Sequence, residues 1–311
     1  MKNKIFIDGK AGTTGLRIYE RLCERPDIEI ITLSDEDRKN TEKRKEALNS
    51  CDVAFLCLPD DAAIEAVGLV ENPDVKIIDA STAHRTNDAW AYGFPELGHD
   101  FESALLSSKR ISNPGCHASG FISLVHPLVK AGIISSDALL TCHSITGYSG
   151  GGKKMIAEYE ADERDFLLYA PRQYGIAQQH KHLKEMKKIG GINNAPVFCP
   201  IVSSFYSGMT VTVPLFASQL ECGKTVKDIK EVYADLYTGE IVKYVESVDE
   251  GGFISAHAMA GKDSMKITVC GNDERILLIS AYDNLGKGAS GAAVECMNMI
   301  LGADRATGLV L

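Results

Sequence analysis

Short apolar runs separated by polar, helix-compatible stretches mark the first third of the chain. The runs predict strands at 5–8, 28–33, 53–58 and 76–80, because each is about the length of a buried strand and is bounded by turn-forming residues. Between them, 16–22 continues a helix after a glycine turn. PDDAAIEAVGLV starts another, which Asp60 or Asp61 is able to cap. Strand and helix in alternation predict a parallel α/β sheet with crossover helices; separate α+β subdomains are the alternative.

The pattern then changes. An apolar run at 138–145 leads into TGYSGGGKK and a polar stretch through residue 170. VFCPIVSSF, SGMTVTVPLF, SMKITVC and RILLISAY are extended and partly alternating, which predicts a mixed or antiparallel sheet in a second domain. Residues 225–236 form its outer helix. The tail GASGAAVECMNMILG reads as a helix, with small residues early and bulky ones late, suited to pack back on the first domain. The sequence has neither an internal repeat nor a low-complexity segment.

Composition narrows the classes. With 311 residues and 45% hydrophobic content, the chain is long enough for about two domains with cores that need no metal or disulfide. A formal charge of −9 leaves no basic surplus for a nucleic-acid backbone, although a small anionic ligand stays open. Nine scattered cysteines, an odd number with no dense framework, suit a reducing compartment, and most read as small buried side chains. No CxxC pair is present, so structural zinc is not expected. MKNKIFIDG lacks the long apolar core of a signal peptide, and no apolar stretch reaches about 18 residues, so no membrane span is expected.

Candidate chemistry begins at IFIDGKAGTTGLRIYERL. Gly9, Gly12 and Gly15 lie after a strand and before a helix, with Thr13 and Thr14 between them, in a GxxGxxG spacing. Such a turn lets backbone approach a pyrophosphate, whose charge the helix-start N–H groups receive; a tight turn with no ligand is the alternative. In ITLSDEDRKN, Asp35 suits the ribose diol of NAD. Ser34, Arg38 and Lys39 instead suit the extra phosphate of NADP, which is the favoured reading over a solvated charge run. In DASTAHR, Asp79, Ser81 and Arg85 either shape the same cleft or satisfy local turns.

Cys116 follows Asn113, Pro114 and Gly115 at the start of an apolar, helix-like run. A helix start stabilises thiolate over thiol and offers N–H groups to an oxyanion. Acyl transfer from an acyl phosphate to that thiolate, with reduction of the thioester by a nicotinamide, uses these features. A histidine is the natural proton donor. His180 and His182, in QQHKHLKEM, are two apart and share a face only if the first precedes the helix. His117, expected to point away from the thiol, and His126, expected to pack or cap, read as bystanders; His143 falls in a strand. No third ligand accompanies His180 and His182, so no metal is expected.

These motifs, with LPDDAA, YGFPEL, NPGCHASG, FYSGMTVTVPL and DNLGKGASGAAVECMN, resemble the short form of N-acetyl-gamma-glutamyl-phosphate reductase over nearly the whole chain. The resemblance implies a Rossmann-type parallel-sheet domain, residues 1–115 joined by the C-terminal helix 286–311. It also implies a mixed α/β catalytic and oligomerisation domain, residues 116–285, as in aspartate-semialdehyde and glyceraldehyde-phosphate dehydrogenases. It implies NADPH-dependent reduction of N-acetylglutamyl phosphate to the semialdehyde and phosphate, in arginine biosynthesis, by a cytoplasmic homodimer or homotetramer. The family's nucleophile falls on Cys116. Its HxHxPE motif falls on His180 and His182, with Lys184 where proline is usual and Glu185 retained. His182 then serves as acid/base and His180 as a substrate or phosphate contact. The glycine loop maps to Gly9–Gly15, the 149–153 loop to a substrate or nicotinamide edge, and 286–290 to the cofactor. Where the long form carries an arginine, this chain has PIVSSFYSGM, so phosphate falls to His180, Lys153 or backbone N–H groups. Aspartyl phosphate, a carrier-bound aminoadipyl phosphate, and an NADP-binding regulator without catalysis are the competing readings.

Overall fold

A computed structural model describes residues 2–311 and divides them into two compact units. The first comprises residues 2–95, 99–114 and 289–309, and the second residues 96–98, 115–288 and 310–311. In chain order the first contains β1 (Asn3–Asp8), α1 (Thr13–Leu22), β2 (Ile28–Ile31), α2 (Thr41–Ser50), β3 (Val53–Leu56), α3 (Asp60–Gly68), β4 (Lys76–Asp79), β5 (Ala91–Tyr92), α4 (His99–Ser107) and β6 (Arg110–Ser112). The second contains α5 (Cys116–Lys130), β7 (Thr141–Gly147), α6 (Gly152–Tyr159), β8 (Arg172–Gln173), α7 (His182–Gly190), β9 (Val197–Ser203), β10 (Met209–Phe216), α8 (Val226–Leu236), β11 (Val242–Tyr244), β12 (Met265–Gly271) and β13 (Arg275–Tyr282). The chain then returns to the first unit with α9 (Gly291–Ile300).

The first unit is a parallel sheet in the order β2-β1-β3-β4-β6-β5. Successive strand residues point to opposite faces, and both faces are covered. Ile5, Ile7, Phe55 and Ile78 pack with Ile18 and Leu22 of α1 and Val294 and Met297 of α9. Phe6, Ala54, Leu56 and Ile77 pack with Ala47 and Leu48 of α2 and Ala63 and Ala66 of α3. Double coverage is why these strands are apolar throughout and do not alternate.

Some element ends differ from expectation. Strand pairing stops at Ile31 and Leu56, not at residues 33 and 58, and the apolar residues beyond line a cleft. Neither Asp60 nor Asp61 caps α3, whose N-cap is Pro59 with no side-chain bond. The Asp60 carboxylate instead accepts from the Thr82 N–H at 2.9 Å and the Thr82 hydroxyl at 2.7 Å. The C-terminal segment opens with a wide turn over 286–290 and its helix ends at Ile300, with Gly302 at positive φ just beyond.

In the second unit the sheet runs β11-β12-β13-β10-β7-β9-β8 and is mixed, with parallel pairs at β11/β12 and β7/β9. Helix α5 is buried almost all round and lies close to this sheet. A Cβ on Gly120 would stand 2.6 Å from both the Tyr282 hydroxyl and a Val211 methyl, so only glycine lets the helix come so near. Pro127 sits inside α5 and has no N–H to give to the Ser123 carbonyl. The Tyr237 hydroxyl fills that vacancy at 2.7 Å, and Tyr233 donates to the adjacent Leu124 carbonyl at 2.5 Å. Both tyrosines are buried. Replacing Tyr237 by Phe leaves a buried carbonyl unmet and is expected to cost about 1–3 kcal/mol, read as a lower midpoint in denaturant unfolding with an unchanged slope.

Candidate active site

In the first unit, a cleft of about 800 Å³ opens beyond the ends of β1, β2 and β3. Gly9, Gly12, Arg38 and Lys39 line it, together with Asp35, Arg44 and Pro59. Gly9 has φ of +85°, and a Cβ there would lie 2.2 Å from the Cys57 carbonyl oxygen; a Cβ on Gly15 would lie 2.6 Å from the Gly9 oxygen. Glycine is therefore required for the turn to close against β3 and for α1 to start where it does. Thr13 and Thr14 open α1, whose N-cap, Gly12, makes no side-chain bond. Their N–H groups are among the unmatched donors that any helix start presents, which suits a phosphate. The residues present thus fit a dinucleotide.

Other expected cofactor residues have local partners. The Ser34 hydroxyl donates to the Asp37 carboxylate at 2.9 Å and accepts the Asp37 N–H. Ser81 donates to the buried Asp79 carboxylate at 2.8 Å, which also holds His84 Nδ1 at 2.6 Å. Neither serine forms part of the cleft wall. Arg38 pairs loosely with Asp35 at 3.4 Å, with both side chains largely open to solvent. Sequence reading missed the floor of the cleft, where the Arg44 guanidinium donates to the buried Asp8 carboxylate at 2.9 and 3.1 Å. Burial nonetheless holds the Asp8 pKa above the ordinary value.

In the second unit, Cys116 is the first residue of α5, whose N-cap Gly115 offers no side chain. It is half-buried, whereas burial pushes the Cys51 and Cys57 thiols up to about 12 and that of Cys142 higher still. Those three stay protonated and inert. The Gly115 N–H donates to the Glu185 carboxylate at 2.8 Å. Glu185 and His182 are three apart on α7, so they share its buried face against α5. His180 precedes that helix, and its Nδ1 accepts the His182 N–H at 3.2 Å. The two rings are therefore neighbours, with centroids 4.7 Å apart, despite the spacing of two. Accepting at Nδ1 places the proton of a neutral His180 ring on Nε2.

His117 corrects an expectation. It is not a bystander: its ring centroid lies 5.7 Å from that of His180 and 5.6 Å from that of His182, with Phe198 at 5.3 Å. Its Nδ1 is 2.6 Å from the Ser144 hydroxyl on β7, and its Nε2 is 2.5 Å from the Tyr174 hydroxyl. Neither Ser144 nor Tyr174 was anticipated. His126 packs as expected, its Nδ1–H donating to the Ile189 carbonyl at 2.8 Å. The 148–151 turn is pinned by Ser149, which accepts from Asn284 Nδ2 at 3.0 Å, while Lys153 on α6 is exposed.

Burial, aided by the His180 charge, drops the His117 pKa from 6.5 to about 3. The unfolded chain therefore binds a proton that the native chain refuses over that interval, so His117 lowers stability as pH falls from about 6.5 towards 3. In His117→Gln, the slope of unfolding free energy against pH between pH 6 and 4 is expected to be shallower by up to about 1.4 kcal/mol per unit. Denaturant unfolding across that range checks it.

Two family models match the chain: "Semialdehyde dehydrogenase, NAD binding domain" over residues 4–103 and "Semialdehyde dehydrogenase, dimerisation domain" over residues 116–284. N-acetyl-gamma-glutamyl-phosphate reductase of Sinorhizobium medicae is 44% identical, covering 97% of this chain and all of its own. The protein of that name numbered 2 in Nostoc sp. is also 44% identical, covering 99% of each. Aspartate semialdehyde dehydrogenase II of Vibrio cholerae shares the fold at a TM-score of 0.72 with 15% identity, over 97% of this chain and 99% of its own. The enzyme of Francisella tularensis does so at 0.71 and 16%, over 97% and 100%. A parallel dinucleotide-type sheet, a mixed second sheet and full-length identity at this level agree: the chain belongs to the N-acetyl-gamma-glutamyl-phosphate reductase family.

Proposed function

We propose that this protein reduces N-acetyl-L-glutamyl 5-phosphate to the 5-semialdehyde with release of phosphate, using NADPH and a thioester on Cys116, in the cytoplasmic synthesis of arginine. The observation that carries the mechanism is the start of α5: a half-buried cysteine at a helix N-terminus with no side-chain cap, next in sequence to His117, whose ring neighbours those of His180 and His182. The thiolate attacks the acyl carbon; a C–S bond forms and the C–O bond to phosphorus breaks, so phosphate leaves with the electron pair. First-turn N–H groups of α5 receive the charge that develops on the acyl oxygen. Nicotinamide, when bound, supplies the hydride that brings the acyl carbon to the aldehyde level. His182 holds the proton that eases departure of the sulfur, and His180 is a contact for the substrate or its phosphate.

Gly9, Gly12, Thr13, Thr14 and Gly15 receive the pyrophosphate in this reading. Arg38 and Lys39 receive the extra phosphate of NADP, since both line the cleft and Arg38 is only loosely paired. Ser34 and Ser81 act from behind by shaping their turns. Self-association through the second unit, as the words "dimerisation domain" suggest, completes the reading.

Cys116→Ser is expected to lose turnover by several orders of magnitude while still binding NADPH, and His182→Asn to lose one limb of the pH–rate profile. Full activity in the first variant, or an unchanged profile in the second, removes the assigned role. Arg38→Ala with Lys39→Ala is expected to lower kcat/KM with NADPH about tenfold or more and to leave that with NADH little changed; equal losses with both would argue against the phosphate contact.

A further inference from the structure

Arg172 opens the edge strand β8 and is half-buried. Its Nε and Nη2 donate to the Tyr159 hydroxyl at 3.2 and 3.1 Å. Tyr159 is buried and stacks on Tyr148 with ring centroids 4.8 Å apart, so the guanidinium is held in one place. Nη1 and the second hydrogen of Nη2 remain, and together they form the parallel pair of donors that matches a carboxylate. Among the described residues, no carboxylate stands within ion-pair distance of Arg172. Arg25 and Arg44, which are also sheltered, each hold one. A chain with a formal charge of −9 has carboxylates to spare, so a sheltered cation left without one points to an anion that arrives from outside.

Strand register sets that cation beside the histidines. Arg172 lies opposite Val202 of β9, and Tyr174 continues the pairing, its N–H donating to the Pro200 carbonyl at 3.0 Å. Residues two apart in a strand share a face, so Arg172 and Tyr174 do. Tyr174, Tyr159 and Val202 meet there in one apolar cluster. The Tyr174 hydroxyl is 2.5 Å from His117 Nε2, and its ring centroid is 6.0 Å from that of His180. Arg172 stands further out, roughly 7 Å along the strand. We propose that Arg172 binds the α-carboxylate of the acyl-phosphate substrate through Nη1 and Nη2, which rests on the reading of this chain as a reductase of N-acetylglutamyl phosphate. In that substrate the phosphorus is joined to the reacting carbon through one oxygen, whereas the carboxylate lies at the far end of the carbon chain. An anion site set back from the histidines fits the far end. The acetylated nitrogen there carries no charge, so the carboxylate is the charged group by which that end is recognised.

The test compares two acyl phosphates that differ only at that end: N-acetyl-L-glutamyl 5-phosphate, and N-acetyl-4-aminobutyryl phosphate, which lacks the carboxylate. With NADPH, kcat/KM for each is measured in the full-length wild type and in Arg172→Gln. The substitution is expected to lower the value for N-acetylglutamyl phosphate about 10- to 100-fold more than the value for the analogue, since only the first has a carboxylate to lose. A contact made alike in the bound substrate and in the transition state shows mainly in KM. Arg172→Lys keeps the charge and loses the fork, so it is expected to restore part of the difference; should Arg172→Gln not fold, the lysine variant carries the same comparison. Equal losses with both substrates, as a merely structural role or a phosphate contact would give, overturn the carboxylate contact and leave the proposed reaction standing. Wild-type protein that turns over neither substrate overturns the proposed reaction, and the contact with it.

Discussion

The carboxylate of Glu185 holds the Gly115 amide at 2.8 Å, and the second unit's chemistry is organised around that bond. It joins the first turn of α7 to the residue before α5, and both ends are buried. His182 leaves α7 on the same face as Glu185, so the bond that fixes one fixes the other. His180 is tied to the same helix start through the His182 N–H. This buried bond to a carboxylate therefore ties the start of α5 to the helix start that carries the two imidazoles. Lys184, standing where the family has proline, lies outside this arrangement: it is exposed, and the geometry is held by its neighbours.

Helix α5 is the other half of the constraint. Its start must be held still, yet its middle contains proline and its flank contains Gly120 pressed on the sheet. The two tyrosines that donate to the Ser123 and Leu124 carbonyls repair the helix where proline leaves a carbonyl unmatched. Packing and hydrogen bonding along the length of α5 thus serve the polar cluster at its end. Burial of that cluster has a cost in acid, because a ring that must stay neutral opposes protonation.

Residue types made the chemistry legible in sequence: a glycine turn after a strand, a cysteine at a helix start, two histidines beside a helix. Apolar content located the strands but overran their ends. Leu33, Cys57 and Leu58 are apolar because they face a cleft, and apolarity records shelter from water, not strand pairing. The cap assigned to Asp60 failed because Thr82, twenty-two residues on, takes the carboxylate. His117 was set aside because adjacency in a helix does not say where a ring points. Ser144 and Tyr174 were invisible for a similar reason, since ordinary polar residues gain partners only through sheet register and loop path. Their shared contact with the His117 ring is a property of three dimensions.

Helix α9 has a further consequence. Val294, Met297 and Ile300 complete one of the two cores of the first unit, and Asn298 accepts from the Arg25 guanidinium at 2.5 Å. More than 170 residues belonging to the other unit separate this helix from β6. Synthesis proceeds from the amino terminus, so the six-stranded sheet is made early with this face covered only in part, by α1 and α4, and stays so until residues 115–288 of the other unit have been joined. The first unit is thus begun before the long stretch of the second and receives its last helix after it. A growing chain must shelter that apolar face throughout, and a chain cut short before residue 291 never closes it.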